Sequence, residues 1–284
     1  MGKVIIERFN SVSQLMTTLK SREGKNNVGM RGEKASVESS EKFSGTKSYE
    51  EACEQITNGW DKHLAEIKKG FSDSVRVNTN TITKKSRVSS GVVGYAPLVP
   101  NAIRGLPNSM ITTERIPQKI KAVTIVYNTS VSSSWTTGQM VKCGIAVMKL
   151  VNKLELDGYR VKLTVEALST EAGRDQCRLL VDVKDWKQPL DLKKLCFPMV
   201  SPSMLRRIGF KWLETVPNMD NRGFSGGYGT PLCDINNYSN DLERARQAKV
   251  ISDNEYYLSA YMVRENNYDI TEIMAQAGMS SLNK

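Results

Sequence analysis

Ile120-Lys121-Ala122-Val123-Thr124-Ile125-Val126-Tyr127 runs directly into Asn128-Thr129-Ser130-Val131-Ser132-Ser133-Ser134-Trp135-Thr136-Thr137. The first stretch is β-branched and apolar at almost every position, the pattern of a central strand covered on both faces. The second is a hydroxyl-rich loop. Beyond it Met140, Val141, Ile145, Met148, Leu150, Val151 and Leu154 recur at helical spacing from a start at Thr137 or Gly138, and Asp157-Gly158 ends the helix. Strand, polar turn and long helix form the opening unit of an α/β sheet. In such sheets the binding site lies beyond the carboxyl end of the strand, at this turn.

Downstream, Tyr159 to Val165 alternates with period two and Cys177 to Val183 does so with one slip. The turn Glu171-Ala172-Gly173-Arg174-Asp175 lies between them, so an antiparallel hairpin is predicted. Helices follow over 190–198 and 203–215, separated by Pro198 and Pro202, with Ser203 as a cap. Gly223, Gly226, Gly227 and Gly229 mark a loop; no Lys-Ser/Thr follows them, which argues against a phosphate cradle. Residues 241–249 read as an exposed helix, 256–263 as a strand and 270–278 as a terminal helix. No internal repeat is present.

Upstream, 91–107 holds three prolines and three glycines, so regular structure cannot run through it. It is too apolar for a solvent loop and is expected to be a buried connection of fixed shape. Ser48-Tyr49-Glu50-Glu51 is a capping box followed by Ala52, Ile56 and Trp60, which predicts one helix over 48–69. Residues 71–90 read as extended or loop, and 21–47 have too little apolar surface to offset their ordering entropy. Residues 11–20 form a short helix capped by Asn10 or Ser11. The expected organisation is an N-terminal arm and linker (1–47), a helix with a Pro/Gly-rich segment packed on the core (48–117), and an α/β domain (118–284).

Composition narrows the function classes. The 284 residues are 39% hydrophobic and 25% charged, with a net charge of +10. There is material for a core, and no run of about 18 apolar residues that could span a membrane. The N-terminus has neither a secretory signal nor a myristoylation pattern, so a cytoplasmic location is expected. Cys53, Cys143, Cys177, Cys196 and Cys233 are unpaired in sequence and read as reduced thiols. His63 is the single imidazole; its spacing places it on the exposed side of its helix. Its isolation argues against zinc sites and His-dependent triads. Asp182 and Asp185, three apart on a strand, face opposite sides and do not form an acid/base pair. Lys68-Lys69, Lys84-Lys85, Lys193-Lys194 and Arg206-Arg207 are dispersed pairs that read as solvated faces.

Asn128-x-Ser130-x-Ser132, placed between the central strand and the long helix, resembles the Asp-x-Ser-x-Ser motif of von Willebrand factor A domains. The resemblance covers about 118–284. It implies a Rossmann-like, mostly parallel sheet with an antiparallel edge hairpin, here preceded by a mainly helical and irregular N-terminal extension. It also implies a divalent cation, usually Mg²⁺, on Asn128, Ser130 and Ser132. Asn128 lacks the motif's formal negative charge, and Mg²⁺ prefers anionic oxygens. The expectation is a degenerate site with no cofactor, or Mg²⁺ held weakly. Asp182, Asp185 and Asp234 match no further ligand. The segment 92–110 with the strand and helix after it is similar to an uncharacterised family of phages and prophage-bearing bacteria.

These readings predict a non-enzymatic interaction or assembly protein, in the host cytoplasm or a virion. It would bind a protein partner or itself through Asn128, Ser130, Ser132 and Trp135, with no small-molecule substrate. The alternative is a nucleic-acid-associated protein contacting phosphates through Lys and Arg of 1–90 and 187–211. Trp60, Trp186 and Trp212 are expected to be core or interface anchors.

Overall fold

The computed structural model describes residues 3–22, 41–72, 86–115, 121–172, 175–217, 227–233 and 238–282. It divides into a body (Met1–Ser74 with Ala122–Lys284) and a lobe (Val75–Lys121). The elements begin with β1 (Val4–Phe9), α1 (Val12–Ser21), α2 (Glu41–Ser44), α3 (Tyr49–Asn58) and α4 (Leu64–Ser72). The lobe holds β2 (Ser86–Gly91), β3 (Ala96–Pro97), α5 (Val99–Ile103) and β4 (Met110–Arg115). Then come β5 (Lys121–Asn128), α6 (Thr137–Leu156), β6 (Tyr159–Ala172), β7 (Asp175–Lys184) and α7 (Leu192–Val200). A π-helical turn (Met204–Gly209) runs into α8 (Phe210–Thr215), followed by β8 (Thr230–Pro231), α9 (Tyr238–Gln247), β9 (Glu255–Ser259), α10 (Ala260–Glu265) and α11 (Ile270–Gln276).

The body is the α/β sheet read from the sequence, in the order β1-β7-β6-β5-β9 with β8 paired to β6. β1 and β7 are parallel, as are β5 and β9, while β6 and β7 form the expected antiparallel hairpin. Residues 123–128 of β5 are all buried, as its apolar run requires. Thr136 opens α6 with a full capping box to Gln139. Gly144 lets α6 meet the backbone of α7: a Cβ there would stand 2.2 Å from the Met199 carbonyl oxygen.

The N-terminal residues are not an arm. β1 lengthens the sheet by one parallel strand outside the hairpin, pairing Val4 to Phe9 with Gln176 to Val181. Its alternate side chains Ile5, Glu7 and Phe9 turn inward, and Glu7 accepts hydrogen bonds from Arg22 (2.7 Å) and from the Trp212 indole (2.6 Å). α1 follows with Ser11 as its cap, as its sequence predicts. Ser44 and Thr46 are buried against the π-helical turn, so part of 41–47 belongs to the core as well. Residues 23–40 lie outside the described residues.

The helix expected over 48–69 is two helices. Gly59 adopts φ +87°, a backbone conformation that ends α3, and the Trp60 amide then donates to the Lys193 carbonyl of α7 (3.2 Å). The strand expected over 256–263 stops at Ser259. There the side chain accepts from the Met262 amide and starts α10. Pro198 lies within α7 instead of ending it, and Ser203 makes no cap but donates to the Ser44 carbonyl (2.6 Å). Asp241 of α9 is buried, not exposed.

In the lobe β4 is central, paired antiparallel with β2 and β3. Gly94 is required there: a Cβ would lie 2.1 Å from the Ile111 carbonyl oxygen. The shape is fixed, with Tyr95 and Leu98 amides donating to Ile111 and Ser109 carbonyls. The expected burial is not found. Over residues 88–113 none is buried, and Val88, Val92, Val93, Tyr95, Val99, Ile103 and Leu106 are exposed.

Candidate functional site

The turn after β5 lies at the strand's carboxyl end, where the sequence placed it, but half of its side chains, Asn128 to Val131 and Trp135, are buried. Asn128 is fully buried. Its amide nitrogen, with two N–H groups to donate, lies within hydrogen-bond distance of Glu166 Oε2 (2.8 Å), Ser169 Oγ (2.7 Å) and the Tyr257 hydroxyl (2.7 Å), and its Oδ1 accepts from the Ser130 amide (2.7 Å). Ser130, also buried, donates its hydroxyl proton to the Ser169 carbonyl (2.9 Å). Trp135 is buried edge-on against Tyr261, with the Arg264 guanidinium over its ring. Of the four residues expected to touch a partner, only Ser132 keeps a half-exposed side chain.

The same geometry tests the metal motif. A cation would need the Asn128 carboxamide oxygen and the Ser130 and Ser132 hydroxyls to converge. Here that oxygen closes a local turn with the Ser130 amide, and the Ser130 hydroxyl is spent on Ser169. The motif's oxygens are thus engaged within the fold, and no carboxylate is among them. No group of three or more His, Cys, Asp or Glu side chains gathers elsewhere among the described residues. Asp234 lies outside them.

Behind the turn, four strands contribute one buried polar belt. Arg178 of β7 donates to Glu166 Oε1 of β6 (2.7 Å), and both side chains are essentially without exposure. Tyr257 of β9 donates to Glu166 Oε2 (2.8 Å). A register shift in β6 between Glu166 and Leu168 sets both Glu166 and Ser169 facing Asn128. Burial alone would pull the Arg178 pKa down; the neighbouring Glu166 and Tyr257 outweigh it and raise it. Burial holds the Tyr257 hydroxyl protonated well beyond its ordinary range, with Cys233 and Glu166 adding to the effect.

In front of the turn is a cleft of about 460 Å³, walled by Ser130 to Ser133, Thr170, Leu205, Arg206, Phe210 and the loop Gly227 to Pro231. Its far wall is fixed from β6. Thr170 donates to the Tyr228 carbonyl (2.6 Å), the Tyr228 ring stacks on Phe210 (3.7 Å), and its hydroxyl donates to Glu214 (2.6 Å). Gly229, at φ +80°, permits this approach, since a Cβ would stand 2.3 Å from Thr170 Oγ1. The glycine run is thus a wall of the cleft; Gly223 and Gly226 lie outside the described residues.

Arg206 and Arg207 correct the reading of solvated basic pairs: both are buried in the π-helical turn. Arg207 binds Thr46 through its carbonyl (2.7 Å) and hydroxyl (3.3 Å). Arg206 donates to the carbonyls of Phe43 (2.6 Å) and Trp135 (2.8 Å), and burial lowers its pKa to about 10. Two polar residues in a row inside an otherwise apolar helix, Met204-Leu205-Arg206-Arg207-Ile208, were the only signal of this in the sequence.

Other candidate chemistry is quiet. Burial raises the thiol pKa of Cys143 and Cys177 to about 12 and of Cys196 to about 11, and pushes up Cys233 and Cys53 too. His63 meets Glu66 (3.3 Å) and the edge of Trp60. Trp60 and Trp212 are buried, whereas Trp186 is exposed beneath Lys162.

The second feature is the lobe itself. Among the described residues, seven of the eleven exposed large hydrophobic side chains belong to it, led by Val93 (82%) and Ile103 (80%). Its 47 residues hold Arg76, Lys84, Lys85, Arg87, Arg104, Arg115, Lys119 and Lys121 against Glu114 alone, a net +7. Only Arg104 of these charges falls within 88–113. The body keeps 29 of the 30 acids, and no helix of the described residues is long and apolar enough to cross a membrane.

A model of a protein family described as Domain of unknown function (DUF7192) matches residues 2–281. No curated protein and no solved structure matches the chain.

Proposed function

We propose that this chain, which belongs to the DUF7192 family over residues 2–281, is a non-enzymatic assembly protein whose lobe docks on the body of a second copy. The observation that carries this reading is the exposed apolar lobe. Fully burying one Val, Leu or Ile side chain contributes about 1.5–3 kcal/mol, so covering the six aliphatic side chains of the lobe together with Tyr95 is worth on the order of 10 kcal/mol. Large apolar side chains exposed in such number within one short segment favour an interaction site. Charge selects the occupant. Two lobes at +7 each repel one another more strongly than a lobe and a body, whose 29 acids against 32 cations leave it at only +3. A lobe-to-body contact is heterologous, and such contacts build rings or filaments. The reading thus keeps the expected partner class but moves the contact from Asn128, Ser130 and Trp135 to the lobe.

Sedimentation velocity of the full chain tests it. Species larger than a monomer are expected at micromolar concentration, and V93D/I103D should return the chain to a monomer without altering its circular dichroism. A monomer at every concentration, or association unchanged by the two aspartates, overturns it. The +7 lobe also favours a second reading, binding to nucleic acid. In that case retention of the full chain on duplex DNA would fall steeply with salt and survive V93D/I103D.

A further inference from the structure

We infer that the cleft in front of the β5 turn binds an oxyanion, a phosphate or carboxylate group carried by a small ligand, through the Arg206 guanidinium. This goes beyond the assembly reading and does not depend on it. Two buried arginines of the same molecule differ in what faces them. Arg178 and Arg206 are each 1% exposed. Arg178 faces the Glu166 carboxylate at 2.7 Å, so its charge is matched within the fold. Among the described residues Arg206 faces no carboxylate, and its guanidinium lies over the Phe43 ring at 4.0 Å. A guanidinium has five N–H donors, and the hydrogen bonds of Arg206 go to two neutral carbonyls, those of Phe43 and Trp135. Glu214, the acid bound to the neighbouring Tyr228, is engaged by that tyrosine's hydroxyl.

An unmatched buried charge is costly, and a fold retains one where something else supplies the counter-charge. Arg206 stays protonated at neutral pH even with its lowered pKa of about 10. It forms part of a cleft of about 460 Å³, within the range that holds small ligands. Ser132 and exposed Ser133 line the same cleft and supply hydroxyls. The planar fork of a guanidinium suits the paired oxygens of phosphate and carboxylate.

The test is the melting temperature of the full chain titrated with inorganic phosphate and, separately, with acetate, each against sodium chloride at matched ionic strength. A ligand that binds only the folded state raises stability in a saturable way. The expected result is such a rise with at least one anion, absent in R206M. S133W, which narrows the cleft but keeps the guanidinium and its two carbonyl bonds, should weaken the apparent affinity tenfold or more. A response to phosphate alone assigns a phosphate ester, and one to acetate alone a carboxylate. No rise beyond chloride, or a rise equal in both variants, overturns the inference. If R206M does not fold, S133W decides.

Discussion

Glu166 and Arg178 are buried together between β6 and β7, and the arithmetic of such a pair is asymmetric. Removing one partner strands the other charge in the core at a cost of about 3–5 kcal/mol, whereas replacing both with apolar side chains is often close to neutral. Urea denaturation should therefore find E166Q severely destabilised and E166L/R178M much closer to the parent chain. Equal losses would mean the belt contributes through hydrogen bonds to Asn128 and Tyr257 more than through charge. Asp182 makes a pH-dependent contribution. Burial alone would raise its pKa, but hydrogen bonds from Lys162 and Thr164 and the charge of Arg8 hold it below the ordinary carboxylate value. Its stabilisation is thus complete above the unfolded value of about 3.9 and disappears as pH falls through the lower folded value. D182N should lose stability at neutral pH and show a shallower acid limb. An acid limb identical to the parent's would remove Asp182 from this role.

Between elements, close approach decides more than propensity. Replacing Gly144 with Ala should gain up to about 1 kcal/mol of helix propensity in α6, but the new Cβ would meet the Met199 carbonyl oxygen at 2.2 Å and Val200 Cα at 2.7 Å. Both are backbone atoms that cannot rotate away, and overpacking costs roughly 1–3 kcal/mol. G144A is expected to lower the melting temperature; a rise would show that α6 and α7 can separate freely. The sequence displayed those elements whose signal is local. Val123 to Tyr127, the α6 stripe and the 159–184 hairpin are legible because period and capping repeat over many residues. Gly59 was hidden because the Ala52, Ile56, Trp60 spacing runs straight through it. β1 was hidden because six residues with Glu7 and Arg8 in the middle do not read as a strand until β7 supplies its pairing. The belt of Asn128, Glu166, Arg178 and Tyr257 comes from four strands, so no window of sequence contains it. The Asn/Ser motif was placed at the right rim, but its side chains turn toward Glu166 and Ser169, partners that lie about 40 residues away.

Taken whole, the molecule pairs a well-packed body with a small lobe that has a fixed backbone and no buried residue over 88–113. Small units without a core seldom hold their shape unaided, which is why a covered lobe is the central claim. Hydrogen–deuterium exchange over 88–113, measured on the full chain at low and at high protein concentration, tests it most directly. The account predicts that amides such as those of Tyr95 and Leu98, bonded within the lobe, become markedly more protected as concentration rises. It also predicts that V93D/I103D abolishes the difference. Rapid exchange that is the same at both concentrations would contradict it.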